Sequence, residues 1–193
     1  MMQKNTQLIV IEGIDGVGKT TLTRGICTEL QNRGIKAVLY EDIENKTEGF
    51  NTIKKYVKEH VSVEASFYFY LASAIHKSNE IEQLLKDNWV ICDRYVFSTY
   101  AFHVAQGLSL ESLPDLKNLS IRMPDQLILL VLDEGERNKR ISERAHNDID
   151  DCYPNVPGSY LHHFQEILKS FNPKILDANS SKEALVSVVI EAI

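Results

Sequence analysis

The sequence predicts an α/β fold of three layers, in which helices cover both faces of a five-stranded parallel sheet. Two observations support this prediction. Short apolar runs alternate along the 193 residues with longer stretches that have helical periodicity. Each run is apolar on both faces, which is typical of parallel strands that helices bury on either side. The predicted strands are residues 8–11, 37–40, 89–92, 127–132 and 174–176.

Seven helical stretches are predicted between and after these strands. Gly34 is well placed to end the first of them, because glycine readily adopts the left-handed conformation that closes a helix. The length, the 44% hydrophobic content and the lack of a linker or repeat predict one domain over residues 1–193. Acidic residues, two prolines and a glycine in residues 145–158 predict a short lid. The predicted helices are residues 19–33, 52–59, 64–86, 98–105, 134–145, 157–170 and 182–193.

The composition narrows the class of partner. A net charge of −6 argues against a surface for nucleic acid or for an anionic membrane, so small molecules are the expected partners. The longest apolar run, residues 127–132, is too short to span a membrane, and residues 1–6 are too polar for a signal peptide. Three widely spaced cysteines match no zinc pattern and predict reduced thiols in a cytoplasmic protein.

The most specific motif is Gly-Ile-Asp-Gly-Val-Gly-Lys-Thr, which follows the first predicted strand and leads into the first predicted helix. This is the phosphate-binding loop of P-loop NTPases, in the strand–loop–helix context that it requires. Its glycines let backbone N–H groups face a phosphate, Lys19 brings a full positive charge, and the Thr20 hydroxyl is a ligand for Mg²⁺. The motif therefore predicts a site for a nucleoside triphosphate on a P-loop NTPase-type sheet. The residues predicted to bind ATP here are Gly13, Asp15, Gly16, Val17, Gly18, Lys19, Thr20 and Thr21.

A second candidate site lies at the end of the third predicted strand, where Asp93 and Arg94 follow apolar residues. Ligands of open α/β sheets bind at the carboxyl edge, so Asp93 is expected beside Thr20 as part of a Mg²⁺ site. Arg94 is expected to clamp a second phosphate. A structural ion pair at the strand end is the alternative.

Three arginines, Arg137, Arg140 and Arg144, are spaced so that they share one helix face, which leads into the predicted lid. Phosphoryl transfer needs cations around the migrating group, and an arginine on a closing lid supplies one. The alternative is a solvated helix face, because Glu136 and Arg140 form a favourable i,i+4 pair without any function.

Asp15 lies inside the phosphate loop, where a carboxylate that faced the phosphates would repel ATP. Its side chain is therefore expected to turn to the opposite side and accept a hydrogen bond from a sugar hydroxyl, with a local Asx turn as the alternative. The aromatic run at residues 67–70 is expected to be mostly core, with one ring stacking on a base.

These residues resemble the thymidylate kinase family over nearly the whole chain. The phosphate loop alone is specific only to a superfamily, whereas its combination with Asp-Arg-Tyr and the C-terminal tail is considerably more specific. The matching elements are residues 13–21, Asp93-Arg94-Tyr95, residues 97–102, Pro124-Asp125 and residues 176–181.

The resemblance implies a homodimer and a role for each of several residues. Asp15 would contact the 3′-hydroxyl of the acceptor sugar, Phe69 would stack on its base, and Arg94 would hold its monophosphate. Members with glycine at the position of Gly16 carry the catalytic arginine in the lid. The implied catalytic residues are Lys19, Arg94, Arg140 and Arg144. On the adenine side of the ATP site, the resemblance implies Ala178 and Ser180. The residues that it implies for acceptor binding are Asp15, Glu41, Phe69, Ser73, Arg94, Tyr95, Ser98 and Tyr153.

The implied reaction transfers the γ-phosphate of ATP, bound with Mg²⁺, to dTMP and gives dTDP. The acceptor phosphate is already ionised, so no general base is required. Ser73 stands where the family usually has a thymine-reading arginine, and Glu41 stands where related deoxynucleoside kinases carry a base. Two alternatives are therefore open: a deoxynucleoside kinase that uses Glu41 to phosphorylate a 5′-hydroxyl, and a relative with altered base specificity.

Overall fold

The structure is a computed structural model that describes residues 6–40, 47–143 and 159–193. The strands in these ranges are β1 (Leu8–Glu12), β2 (Ala37–Tyr40), β3 (Trp89–Asp93), β4 (Gln126–Val131) and β5 (Lys174–Asp177). They form one parallel sheet in the order β2-β3-β1-β4-β5. β1 is central, with its Val10 paired to Cys92 on one side and to Leu127 on the other.

The helices of the described ranges are α1 (Lys19–Asn32), α2 (Glu48–His60), α3 (Val63–Leu84), α4 (Val96–Ala105), α5 (Glu134–Glu143), α6 (Ser159–Leu168) and α7 (Lys182–Ile190). Gly34 follows α1 with φ of 76°, in agreement with its predicted part in ending this helix. α2 begins four residues before the predicted start, because the Thr47 side chain caps it by accepting the Phe50 N–H at 3.4 Å. α4 begins two residues early, with Tyr95 as its N-cap. No helix in these ranges combines the length and apolarity needed to cross a membrane.

Alternate residues of β1 point into two separate apolar clusters, one on each face of the sheet. Leu8 and Val10 belong to a cluster that α3, α4 and α6 complete. Ile9 and Ile11 belong to a second cluster, which α1 and α7 complete. All four side chains are fully buried. The three-layer α/β/α architecture predicted from the apolar runs is therefore confirmed.

Both β1 and β3 extend one residue beyond their predicted ends, to Glu12 and Asp93. Ile11 pairs with Asp93, so the carboxyl ends of the two strands lie side by side. The loop from β1 to α1 and the turn from β3 to α4 consequently start next to each other. Residues far apart in the sequence are brought together at this edge of the sheet.

Candidate active site

The glycines of the phosphate loop adopt backbone conformations that other residues rarely take. Gly13 and Gly16 have φ of 147° and 89°, and Gly18 has φ of 98° where α1 begins. A Cβ atom on Gly13 would lie 2.5 Å from the Leu130 carbonyl oxygen, and one on Gly16 would lie 2.9 Å from Ile141 Cγ1. The positive φ values and these close contacts favour glycine at both positions, most strongly at Gly13, where the contact is with backbone. The loop leads into a helix N-terminus suited to phosphate.

Lys19 is folded inward against the loop. Its Nζ atom donates to the Ile14 carbonyl oxygen at 3.1 Å and lies 3.8 Å from Asp15 Oδ1. Burial and, secondly, the nearby charge of Arg94 lower the pKa of Lys19 from 10.5 to about 8. The negative charge of a polyphosphate would favour the protonated amine, so Lys19 is suited to become fully charged when ATP binds.

Thr20 and Asp93 lie together as predicted, because the start of α1 faces the end of β3. The Thr20 hydroxyl donates to Asp93 Oδ2 at 2.6 Å. Both groups are oxygen ligands of the kind that Mg²⁺ prefers. The described part of the chain contains no cluster of three or more His, Cys, Asp or Glu side chains arranged around a metal. An ion at this point would therefore take its remaining ligands from phosphate and water, which is usual for Mg²⁺ at nucleotide sites.

Arg94 has a left-handed backbone conformation, with φ of 64°, which is uncommon for a residue that carries a side chain. Its N–H donates to the Ile11 carbonyl oxygen at 3.0 Å, and its own carbonyl oxygen accepts from Lys77 Nζ at 2.8 Å. Its guanidinium donates to the Asp15 carboxylate and, at 3.1 Å, to Ser98 Oγ. Contacts from β1, α3, α4 and the phosphate loop thus converge on this one arginine.

Asp15 connects the two cations of the site. Its carboxylate forms an ion pair with Arg94 and lies near Lys19, while its carbonyl oxygen accepts from Arg137 Nε at 2.8 Å. The Asp15 contacts in the described residues include no Asx-turn bond. Its carboxylate instead contacts the Arg94 guanidinium and lies 3.8 Å from Lys19 Nζ.

Glu12, the last residue of β1, was not among the predicted site residues. Its side chain is fully buried, and its carboxylate accepts the Tyr95 N–H at 2.8 Å and the Ser98 hydroxyl at 2.5 Å. Burial raises the pKa of Glu12, although the charge of Arg94 and these two hydrogen bonds act in the opposite direction. The sequence does indicate a special position for Glu12, because a carboxylate at the end of a wholly apolar strand needs hydrogen-bond partners inside the protein.

The aromatic run on α3 is less buried than predicted. Phe67 is in the core, but Tyr68 is 48% exposed, because successive residues of a helix point in different directions and α3 packs on one side only. Phe69 is half-buried, and its ring stacks on Phe50 of α2 with centroids 5.7 Å apart and an interplanar angle of 23°. Ser73 lies one turn further along α3 and is also half-buried.

A groove of about 390 Å³ opens beside the phosphate loop and reaches the start of α7. Arg140 crosses it, donating from Nη2 to the Ala178 carbonyl oxygen at 3.1 Å and from Nε to Glu136 Oε1 at 3.2 Å. Six of the ten predicted ATP-binding residues therefore lie around one groove, whereas Gly13, Asp15, Lys19 and Thr20 are not part of its lining. Its lining includes Gly16, Val17, Gly18, Thr21, Arg140, Ala178 and Ser180.

The two arginines of α5, Arg137 and Arg140, lie in different surroundings. Arg137 is buried beneath the phosphate loop, so a solvated helix face is the wrong description of this residue. The reason is that α5 packs directly on Gly16. Arg140 faces the groove instead. Outside the described residues lie the predicted Glu41, Arg144 and Tyr153 and the predicted lid at residues 145–158.

Comparisons with known proteins identify the family of this chain. The family model for thymidylate kinase matches residues 11–189. The chain belongs to the thymidylate kinase family. A Thermococcus onnurineus protein named "probable thymidylate kinase" is 38% identical over 149 residues, which is 71% of this chain and 72% of that protein. The thymidylate kinase of Brachyspira hyodysenteriae is 27% identical over 192 residues, 97% of this chain and 93% of its own.

Solved structures support the fold. The thymidylate kinase of Candida albicans superposes with a TM-score of 0.73 at 24% identity, over 97% of this chain and 91% of that one. As a thymidylate kinase family member, the chain is an ATP-dependent nucleotide kinase, and its reaction is the phosphorylation of dTMP. The comparisons give no support to the deoxynucleoside kinase alternative, and its expected base, Glu41, lies outside the described residues.

Proposed function

We propose that the enzyme binds the phosphates of ATP and dTMP side by side at the carboxyl edge of the sheet, with Lys19 on the ATP side and Arg94 on the acceptor side. The supporting observation is Asp15, whose carboxylate pairs with Arg94 and lies 3.8 Å from Lys19 Nζ. Two cations, one at the start of α1 and one just after the end of β3, are thereby held next to each other. Phosphoryl transfer depends chiefly on such positioning and on charge neutralisation.

On the ATP side, the backbone N–H groups of the loop and the first turn of α1 would bind the polyphosphate, and Lys19 would neutralise its outer charge. The adenine would lie in the groove against Ala178 and Ser180. The groove supports this placement because it is continuous with the phosphate loop and has a volume of about 390 Å³.

A magnesium ion would be held by Thr20 and Asp93, whose oxygens are 2.6 Å apart. When bound with ATP, the ion neutralises phosphate charge and orients the phosphates. Neither residue is needed for another contact of the site that the structure describes, which leaves both available for this part.

On the acceptor side, Arg94 would hold the dTMP phosphate, Asp15 would face the sugar, and Phe69 would stack on the base. Phe69 is half-buried and one face of its ring stacks on Phe50, so a base would stack on the opposite face. Ser98, which bonds to Arg94, would complete this side. Tyr95 would contribute through its backbone, because its ring is 4% exposed and packs in the apolar cluster that α3, α4 and α6 complete. An ionised phosphate is the attacking group, so the site needs no general base.

The catalytic cation would come from Arg140 or Arg144 rather than from the phosphate loop. A side chain at Gly16 would meet Ile141 and Arg137 of α5, so the loop has no room for a cation there. Arg140 lines the groove beside the loop, in support of this proposal. Arg144 follows four residues later in the sequence.

A homodimer, a cytoplasmic location and a single domain with a lid at residues 145–158 complete the proposal. The homodimer follows from the resemblance, and the location follows from the reduced-thiol composition. Light scattering on the full chain checks the oligomeric state, with a mass twice that of one chain as the expected result.

A coupled ADP-release assay over several acceptors tests the proposed function. We expect dTMP to support turnover, because Arg94 is placed for an acceptor that carries a phosphate. Parallel reactions with dUMP, dCMP and dGMP measure how much discrimination the site retains with Ser73 in place of an arginine. Turnover with thymidine or deoxycytidine but with none of the monophosphates would contradict the proposal.

A further inference from the structure

Glu12 is a buried carboxylate that the proposed reaction does not use. Its side chain is 0% exposed, so no substrate reaches it. Both of its oxygens accept hydrogen bonds, one from the Tyr95 N–H and one from the Ser98 hydroxyl. These two residues flank Arg94 in space, one along the backbone and one through its guanidinium.

We propose that Glu12 is a positioning residue for Arg94, acts on it through Ser98 and Tyr95, and thereby sets the affinity for the acceptor monophosphate. This inference rests on the proposed function, in which Arg94 binds the acceptor phosphate. It assigns to the end of β1 a part in acceptor binding, in addition to its place before the phosphate loop.

The hydrogen bond from Ser98 to Glu12 fixes the direction of the hydrogen bond between Arg94 and Ser98. A serine hydroxyl has one hydrogen, which is given to Glu12 Oε2 at 2.5 Å. A lone pair of the same oxygen accepts from Arg94 Nη1 at 3.1 Å. Glu12 thus keeps Ser98 in the acceptor orientation that the guanidinium requires.

The hydrogen bond from the Tyr95 N–H to Glu12 acts on the turn between β3 and α4, where the Arg94 backbone is strained. Arg94 has φ of 64°, and persistence of such a conformation requires neighbouring contacts that hold it. The Arg94 N–H is bonded to Ile11 at 3.0 Å, and the following N–H, of Tyr95, is bonded to Glu12 at 2.8 Å. Two successive residues of β1 therefore anchor two successive N–H groups of the turn.

Glu12→Gln is the informative substitution, because it preserves size but changes the pattern of donors and acceptors. In the structure the Glu12 carboxylate accepts from both Tyr95 and Ser98, whereas an amide offers one acceptor oxygen and an NH2 group that only donates. In one orientation the amide N–H group faces the Tyr95 N–H, which is also a donor. In the other orientation it faces Ser98 Oγ, whose hydrogen must then turn toward Arg94. We expect the KM for dTMP to rise about tenfold or more, and the KM for ATP to stay within about twofold.

Asp125→Asn is the matched control. Asp125 also accepts a β1 backbone N–H, that of Leu8 at 2.8 Å, and is paired with Arg122, but it lies at the opposite end of β1. Its substitution is expected to lower the free energy of unfolding in urea without changing the KM for dTMP. A general structural effect would therefore be the same in both variants, and a positioning effect would be confined to Glu12.

The experiment is steady-state kinetics of the full chain with Glu12→Gln, Glu12→Asp, Ser98→Ala and the Glu12→Gln/Ser98→Ala double variant. Glu12→Asp keeps two acceptors, so its KM for dTMP should lie between those of the wild type and Glu12→Gln. In the double variant, the KM for dTMP should rise by less than the product of the two single increases, because both substitutions interrupt the same hydrogen-bond chain from Glu12 through Ser98 to Arg94. If Glu12→Gln does not fold, Glu12→Asp carries the same test, because Ser98 contacts Arg94 directly and its loss alone would not isolate Glu12.

The Arg94→Lys variant separates the two proposals. A wild-type KM for dTMP in Arg94→Lys would overturn the assignment of Arg94 to the acceptor phosphate. A raised KM in Arg94→Lys, together with an unchanged KM in Glu12→Gln or multiplicative effects in the double variant, would overturn only the positioning role of Glu12.

Discussion

The two sides of the proposed active site, the ATP side and the acceptor side, are built in different ways. On the ATP side, a single loop and the first turn of α1 supply three glycines, Lys19 and Thr20. On the acceptor side, Arg94 meets Asp15 across 79 positions of sequence, and α3 and α4 supply its other contacts. The shape of a continuous loop is determined mostly by its own residues. A site made from several elements depends instead on how those elements pack at the edge of the sheet. Substitutions should therefore act locally on the ATP side and through neighbours on the acceptor side.

The largest expected effect is that of Gly13→Ala on the ATP side. With φ of 147° and a Cβ that would lie 2.5 Å from the Leu130 carbonyl oxygen, the new methyl group must displace the loop. We expect kcat/KM for ATP to fall roughly 10²-fold or more, because displacement of about 1 Å at a reacting group has a cost of that order. Kinetics with ATP varied at saturating dTMP measure the effect.

Gly34→Ala is the control for backbone strain. Gly34 also has a positive φ, 76°, but an added Cβ meets nothing within 4 Å, and it lies beyond the far end of α1. We expect a loss of about 1 kcal/mol in the free energy of unfolding and unchanged kinetics. Equal kinetic losses in the two variants would contradict a locally determined ATP side.

An intermediate effect is expected for Lys77→Met on the acceptor side. Lys77 Nζ donates to the Arg94 carbonyl oxygen at 2.8 Å and lies 4.9 Å from the centre of the Tyr40 ring. Its loss should release the left-handed turn and raise the KM for dTMP roughly 10- to 30-fold, the scale of a lost charged hydrogen bond. The KM for ATP should change little.

The lysine just beyond α3, Lys86, provides the comparison. It is exposed and its Nζ atom bonds only to Gln83 among the contacts described for it. Lys86→Met should leave both KM values at the wild-type level. A Lys77→Met variant that behaves in the same way would show that the acceptor side does not depend on this neighbour.

The smallest effect is a pH dependence of the ATP side. The pKa of Lys19 without ATP is about 8, so a rise in pH through 8 removes the charge that ATP requires. Since kcat/KM reports the free enzyme, its value for ATP should fall about twofold at pH 8 and roughly tenfold by pH 9. The unfolded chain binds more protons than the folded one between pH 8 and 10.5, so the contribution of Lys19 to stability rises with pH over that window.

Lys19→Arg is the variant that isolates this titration. A guanidinium stays charged up to pH 12 and above, so the variant should lose the decline in kcat/KM for ATP above pH 8, whatever its absolute activity. A decline that is the same in wild type and variant would assign the titration to another group.

The two sides also differ in how well the sequence predicts them. The phosphate loop is predicted in full, because a fixed spacing of glycines, Lys19 and Thr20 has one known use at a strand-to-helix junction. The proximity of Thr20 and Asp93 is predicted too, since parallel strands bring their carboxyl ends to one edge. Both predictions depend on rules that connect sequence position to geometry.

The contacts that hold Arg94 are not predicted, because they depend on packing between elements. Glu12 could be recognised only as a lone acid ending an apolar strand, and nothing in the spacing connects Lys77 with Arg94. The same limit explains Arg137. Helical spacing places it on the face of Arg140, but close packing of α5 on Gly16 buries it beneath the loop.

The close approach of Gly16 to Ile141 has a consequence for protein engineering. Moving the catalytic charge that we propose for Arg140 or Arg144 into the phosphate loop would place a side chain at position 16, where Ile141 Cγ1 is 2.9 Å from the new Cβ. Such a redesign needs a compensating truncation, such as Ile141→Ala, to open a channel between loop and helix. The two positions are therefore expected to change as a pair, and a library that varies them jointly would contain active members that neither single library contains.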